Sequence, residues 1–265
     1  MTDARTSRSG GQPLLSLRAV LLVGGLGTRL RPVVPTQPKP LADVGTRPFL
    51  ELLLCQLRGQ GIRHVLLCTG YCGAEIAHRL QDGARWDLVL EYSQEPYALG
   101  TAGAVKLAQP RLQEASEFLV MNGDSFMEVD FGELVRFHYS RGALVSMVVV
   151  RQQAATRYGR VAVDDRGRVT AFVEKHASDQ AGLVNAGVYV FDKRIFEYLP
   201  TGPASLERNV FPGLLKHGVY ALEQRGLFID IGTPEDYARA QRISRSLYDA
   251  ALGRAHGRAT QKGTA

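Results

Sequence analysis

The sequence predicts a single doubly wound α/β sheet, mostly parallel, with helices on both faces. Three observations carry that reading. Short β-branched runs alternate with amphipathic stretches over the first half of the chain; hairpin-like turns then take over; and no linker rich in Pro, Ser or Gly divides residues 19–252. In order, the apolar runs Ala19–Val23, His64–Thr69, Leu88–Tyr92 and Phe118–Met121 have the length of strands. Between them Phe49–Leu57, Ala74–Leu80 and Thr101–Ala108 repeat at helical spacing. Strands separated by helices imply right-handed crossovers and parallel pairing, so the sheet is Rossmann-like. After Asp124, Ala143–Val150 is a continuous β run, and residues 160–173 read as two strands about Asp164-Asp165-Arg166-Gly167, a small antiparallel extension. Val184–Phe191 and Tyr220–Ile231 add strands, and Asp236–Leu252 reads as a terminal helix with Tyr237, Ala240, Ile243, Leu247 and Ala251 on one stripe. The expected organisation is a disordered tail over 1–18, one domain over 19–252 and a disordered tail over 253–265.

A chain of 265 residues, 45% hydrophobic and 22% charged, has a globular composition and can bury a sizeable core. No apolar run is long enough for a membrane span, and the first 18 residues lack the apolar stretch of an export signal. Three cysteines, Cys55, Cys68 and Cys72, form neither a disulfide framework nor a zinc pattern, so they read as buried free thiols of a cytoplasmic protein. The net charge of +6 suggests nucleic acid until it is located. Residues 1–18 and 239–265 together hold +7, which leaves −1 for residues 19–238 and no basic face that the body's net charge would betray. Solvated ends are the better reading, with no specific nucleic-acid partner and no membrane insertion.

The first strand runs into Gly24-Gly25-Leu26-Gly27-Thr28-Arg29-Leu30-Arg31-Pro32. Glycines here permit positive φ and leave no Cβ between backbone amides and a ligand, so the loop can cradle phosphate. A tight structural turn is the competing account. Leu30 stands where the dinucleotide fingerprint needs a third glycine, and the chain has no Gly-Lys pair for a Walker loop. Pro38-Lys39-Pro40-Leu41 then holds a lysine between two prolines, on a stiff, extended backbone that aims the ammonium. Only six residues are Lys against twenty-six Arg. Asp124 follows a predicted strand, at the sheet edge where open α/β folds bind ligands, although a helix cap would also account for it alone, and Asp230 stands at the end of the last predicted strand.

These blocks resemble the signature of the sugar-1-phosphate nucleotidyltransferases. Leu99-Gly100-Thr101-Ala102-Gly103, Asn122-Gly123-Asp124, Phe172-Val173-Glu174-Lys175, Asn185-Ala186-Gly187 and Asp230-Ile231-Gly232-Thr233-Pro234 follow in family order, so the similarity covers about residues 19–240. The shortness of the chain and its opening block look closest to the D-glycero-α-D-manno-heptose 1-phosphate guanylyltransferases. The resemblance implies that GTP and a sugar 1-phosphate give a GDP-sugar and pyrophosphate, with Mg²⁺ held by Asp124 and Asp230. It implies that Arg29 and the amides of Gly24, Gly25, Gly27 and Thr28 hold the β and γ phosphates, while Lys39 neutralises charge at the reacting phosphates. Gln94, Gly100 and Thr101 then form the nucleobase and ribose edge. Glu174 and Asn185 bind the sugar, Lys175 grips its phosphate, and Gly159 and Gly187 allow close backbone approach; the antiparallel extension lies over this sugar site. Without the resemblance, Glu174 and Lys175 read as an exposed ion pair.

The reaction asks for no nucleophilic side chain, so the lack of a Ser/His/Asp or Cys/His constellation is expected. The six histidines form no ligand pattern and read as structural. Tyr189, Phe191, Phe196 and Tyr198 read as core. Mannose 1-phosphate, or a uridine or thymidine nucleotide, is the nearby alternative. A nucleotide-sugar-binding regulatory subunit is the alternative from another class; the mark of such a subunit would be loss of Arg29, Lys39, Asp124 or Asp230, and all four are present. A homodimer is left open.

Overall fold

β1 (Arg18–Leu22) shows how the chain divides its apolar residues between two faces. Ala19 and Leu21, with Val23 beyond, point into one core, and Val20 points into another. A strand buried on both faces needs no polar alternation, which is why the segment reads as a continuous apolar run. The structure is a computed structural model that describes residues 14–153, 160–173 and 181–253.

The ribbon of β2 (Asp43–Val44) and β3 (Arg47–Pro48) follows β1 and leads into helix α1 (Phe49–Gly59). β4 (His64–Thr69), α2 (Gly73–Leu80), β5 (Val89–Gln94), α3 (Gly100–Ala108) and β6 (Glu117–Asn122) continue the alternation. Pairing is parallel in the order β6-β1-β4-β5, with Val20 opposite both Leu66 and Val120. Then come β7 (Ser125–Met127), α4 (Phe131–Arg141), β8 (Val145–Gln152), β9 (Arg160–Val163), β10 (Val169–Val173) and the long β11 (Gly182–Asp192). β11 runs antiparallel to β6 and β8, and its start carries the antiparallel pair β9–β10. After the short helix α5 (Phe211–Leu214), β12 (Val219–Glu223) joins β8 in parallel. β13 (Phe228–Asp230) leaves the main sheet and pairs with β7. Helices α6 (Pro234–Arg242) and α7 (Ser244–Ala251) end the described chain.

Among the described residues the main sheet has nine strands, mixed but with a parallel centre. One core lies between the sheet and α1, α2, α4 and α7; the other is filled by α3, the segment after β11 and the rings of Phe118, Tyr189, Phe191 and Phe211. No described helix is long and apolar enough to cross a membrane.

Four local expectations need correction. Tyr220–Ile231 is two strands in different sheets, because the chain leaves β12 at Gln224, whose side chain binds the backbone of Asp130. Asp236–Leu252 is two helices, broken where Ile243 adopts φ −105° and ψ 14°. Residues 14–18 belong to the fold rather than to a tail, since Leu17 is buried, Leu14 packs on the core and Arg18 opens β1. Tyr198 is partly exposed against His217, and Cys55 and Cys72 are partly exposed; Cys68, Tyr189, Phe191 and Phe196 are buried as expected. Helix α4 lies where the hydropathy pattern names nothing. Its signals are in its caps: Asp130 Oδ1 accepts from Glu133 N at 2.8 Å, and Gly142 closes it at φ +55°.

Candidate active site

The three glycines after β1 do three different things. Gly24 is squeezed: a Cβ there would lie 2.3 Å from Glu95 Oε1 and 3.1 Å from Gly70 N, so it lets the ends of β1, β4 and β5 converge. Gly27 sits at φ +61°, and a Cβ would meet that of Lys39 at 2.9 Å. Gly25 has nothing within 4 Å of the same position and faces open space. Thr28 and Arg29 follow on the exposed turn.

Lys39 departs from the extended backbone expected of it. Pro38 is extended (φ −61°, ψ 141°), but Lys39 starts a single 3₁₀ turn, Lys39–Leu41. The outcome for the ammonium is still a fixed aim: the side chain is 10% exposed and Nζ donates to Asp124 Oδ2 at 2.6 Å, with Asp230 Oδ1 at 3.9 Å.

The two carboxylates meet because of the small ribbon. Asp124 leaves β6 through Gly123, where a Cβ would strike Val23 at 2.4 Å, so only glycine lets β6 fold over the end of β1. β7 then pairs with β13, setting Ser125 opposite Asp230, and Ile231 N donates to Asp124 O at 2.9 Å. The Gly232 amide donates to Asp230 Oδ1 at 2.5 Å. A Cβ on Gly232 would lie 3.2 Å from Arg29 Nη2 and 3.3 Å from Lys39 Nζ. Arg29, Lys39, Asp124 and Asp230 therefore form one cluster about Gly232. Thr233 caps the following helix through Asp236 N, which fixes this turn. Burial, reinforced by the charge of Asp124, pushes the Asp230 carboxyl up to about 6, while Lys39, the Gly232 amide and Arg29 pull it the other way.

On the other side, Asn185 and Gly187 occupy the irregularity in β11, where the register against β8 shifts. Gly187 is at φ +74°, and a Cβ would lie 2.7 Å from Asn122 Nδ2 and 2.9 Å from Ser125 Oγ, next to Asp124. Asn185 Oδ1 accepts from Gly187 N at 3.0 Å, and its Nδ2 donates to Tyr189 Oη at 2.7 Å. Gly100, at φ +67°, presses on Ala204 O, and Thr101 starts α3 against the same segment. Thr101 Oγ1 accepts from Leu206 N at 2.8 Å and donates to Glu207 Oε2 at 3.1 Å. Gln94 is exposed at the end of β5, near Gly73 rather than the charged cluster. Gly159, Glu174 and Lys175 lie outside the described residues.

The sequence reading misses two carboxylates. Glu95 is buried beside Gly24, its Oε2 accepting from Leu99 N at 2.8 Å; burial pushes its carboxyl up, and that amide opposes the shift. Glu207 is tied to Thr101 and to Tyr189. Neither belongs to a motif block, since Glu95 stands just before Leu99-Gly100-Thr101 and Glu207 lies between the last two blocks, so only the fold shows their partners.

Residues 18–246 match the family model described as nucleotidyl transferase. The chain is 38% identical over 225 residues to the mannose-1-phosphate guanylyltransferase of Mycobacterium tuberculosis, covering 83% of this chain and 62% of that protein. It is 35% identical over 223 residues to the mannose-1-phosphate guanylyltransferase catalytic subunit beta of Drosophila melanogaster, with 83% and 60% covered. It therefore spans about three fifths of the length of these curated relatives. Among solved structures, HddC from Yersinia pseudotuberculosis complexed with GMP-PN aligns at TM-score 0.75 and 33% identity over 85% of this chain and 98% of that one. A putative glucose-1-phosphate thymidylyltransferase from Bacillus anthracis in complex with a sucrose, at TM-score 0.78 and 20% identity, covers 88% of this chain and 99% of its own; it shares the fold. A glycine loop at the end of a parallel strand, two carboxylates joined by a ribbon, and a match over residues 18–246 agree: this chain belongs to the nucleotidyl transferase family.

Proposed function

We propose that the protein is a guanylyltransferase that joins GTP to a manno-configured sugar 1-phosphate and releases pyrophosphate. The observation that carries this is the Arg29–Lys39–Asp124–Asp230 cluster at the mouth of the glycine loop. The guanine choice is supported by relatives named for that nucleotide and by the likeness to HddC complexed with GMP-PN. D-glycero-α-D-manno-heptose 1-phosphate is the first choice of sugar, on the resemblance of the opening block. Mannose 1-phosphate is the second, favoured by the names of the curated relatives. The catalytic unit is residues 19–252, extended to Leu14 by the packing of Leu14 and Leu17, and its place of action is the cytoplasm.

The donor set fits a hard divalent cation. Burial, and after it the charge of Asp124, pushes Asp230 up, so the pair favours a cation between them, and oxygen ligands from phosphates and water suit Mg²⁺, which needs only one or two carboxylates. Asp124 and Asp230 would hold the ion, whose charge would offset that of the reacting phosphates. The rest is done by the chain itself. The sugar phosphate has a second pKa of about 6, so it is largely a dianion at neutral pH and needs no general base. One of its oxygens bonds to the α-phosphorus of GTP as the bond to the bridging oxygen breaks, and that electron pair leaves on pyrophosphate. Arg29 and the loop amides hold the β and γ phosphates, Lys39 stabilises charge shifting toward the leaving group, and Lys175 holds the attacking phosphate. This is positioning and electrostatic stabilisation.

The test is one screen: purified protein with Mg²⁺ and four NTPs crossed with mannose, heptose and glucose 1-phosphates, read by pyrophosphate release. GTP with a manno-configured sugar should turn over fastest. Best turnover with another pair overturns the substrate assignment, and no turnover with any pair overturns the activity.

A further inference from the structure

On that reading, Thr101 belongs to the nucleotide side of the cleft and Asn185 to the sugar side. One carboxylate connects them. Glu207 Oε2 accepts from Thr101 Oγ1 at 3.1 Å and from Ser205 Oγ at 2.8 Å, while Oε1 accepts from Tyr189 Oη at 3.2 Å. Tyr189 Oη accepts from Asn185 Nδ2 at 2.7 Å, and Asn185 Oδ1 accepts from Gly187 N at 3.0 Å. Leu206 N, donating to Thr101 Oγ1 at 2.8 Å, closes the other end.

The direction of each bond is fixed. A backbone amide can only donate, so Gly187 sets the orientation of the Asn185 amide and turns its Nδ2 toward Tyr189. Asn185 Nδ2 and Leu206 N already donate to the two hydroxyl oxygens, so Tyr189 and Thr101 spend their hydroxyl protons on Glu207. Tyr189 is fully buried, and burial together with Glu207 pushes its hydroxyl pKa well up, so it stays a donor. The two oxygens of Glu207 serve different sides of the cleft: Oε2 the start of α3, Oε1 the irregularity in β11. Within such a chain each bond polarises the next, and a change at one end alters the hold at the other.

We infer that Glu207 is a positioning residue that couples the nucleotide and sugar-phosphate subsites through Thr101 at one end and the Tyr189–Asn185 pair at the other. The coupling is reciprocal: the nucleotide tightens binding of the sugar phosphate by the same factor as the sugar phosphate tightens the nucleotide. A role confined to holding the fold would leave that factor untouched.

The experiment is calorimetry in Mg²⁺ buffer, measuring the Kd of mannose 1-phosphate with and without saturating α,β-methylene GTP, which cannot release pyrophosphate. In the wild type the nucleotide should tighten sugar-phosphate binding about fivefold or more. Glu207→Gln is nearly isosteric, but its amide nitrogen cannot accept, so one hydroxyl must turn away; the ratio should fall toward one. Tyr189→Phe removes only the hydroxyl and should do the same, which keeps the test alive should Glu207→Gln fold poorly. Thr101→Ser keeps the hydroxyl and should retain coupling, whereas Thr101→Val should lose it. A wild-type ratio of one, or an unchanged ratio in folded Glu207→Gln and Tyr189→Phe, overturns the role of Glu207. Failure of the wild type to bind the GTP analogue, or to bind both mannose 1-phosphate and D-glycero-α-D-manno-heptose 1-phosphate, overturns the assigned function instead.

Discussion

Two polar clusters of the molecule, one about Gly232 and one about Glu207, handle polarity in opposite ways. Around Gly232, charges of both signs face one another: Lys39 reaches two carboxylates, and Arg29 stands beside them. Around Glu207, uncharged donors close on one another and on a single acceptor. The first arrangement is held by charge that an incoming ligand can displace. The second has spent its hydrogen bonds internally and can only be shifted as a unit. Changes in the first cluster should therefore fall on turnover and spare stability, and changes in the second should fall on positioning.

The largest expected effect is at the carboxylates. Asp124→Asn and Asp230→Asn should each lower kcat roughly a hundredfold or more, and EDTA should abolish activity that Mg²⁺ restores. Because burial and Asp124 hold the Asp230 carboxyl up near 6, Asp230→Asn should raise the melting temperature at pH 7 in EDTA. A fall in melting temperature as large as that of a core truncation would break the comparison. Next come the two lysines. Lys39→Ala should cost roughly tenfold to a hundredfold in kcat with a smaller change in KM for GTP, and Lys39→Arg should not rescue, since a planar guanidinium does not replace an ammonium at a 2.6 Å contact. Lys175→Ala should raise KM for the sugar 1-phosphate by about tenfold and alter GTP far less. If Lys175→Ala weakens GTP instead, the nucleotide and sugar-phosphate subsites are exchanged.

A third prediction sharpens the contrast with a polar pair outside the cleft. His138 is buried with Nδ1 3.0 Å from Ser146 Oγ, and its pKa is held down to about 4, by burial first and against the charge of Asp192. The folded pKa lies below the unfolded value of about 6.5. The stability from a neutral His138 is therefore present above about 6.5 and lost as pH falls through 6.5 toward 4, by about 3 kcal/mol at most. Denaturant midpoints for wild type and His138→Gln should converge over that range while activity at pH 7 is equal; parallel curves would contradict it. Smallest of all, removing residues 1–13 and 254–265 should change kcat by less than about twofold, because their composition offers nothing to pack. Aggregation of the trimmed protein would show that the ends belong to an interface.

The parallel centre of the sheet was legible because strands buried on both faces are written as unbroken apolar runs, as in Ala19–Val23. Asp124, Lys39 and Arg29 were legible as motif members, and the fold brings them together. What was not legible depends on partners distant in sequence. Nothing local marks Phe228–Asp230 as a strand of another sheet; that follows from its pairing with β7. Glu207 reads as an ordinary surface glutamate until Thr101 and Tyr189 reach it. Helix α4 hid behind aromatic and polar residues, although Asp130, Glu133 and Gly142 announce its ends.

The β7–β13 ribbon also fixes when the four clustered residues can come together during synthesis. Its strands are separated by about a hundred residues, and contacts of that span form late, after the local helices and the first parallel pairs. A ribosome that has delivered everything up to β12 has already made the glycine loop, Lys39 and Asp124, but their partner carboxylate is still to come. Of the four clustered residues Asp230 is the last to emerge, and the short ribbon is the step that carries it to the other three.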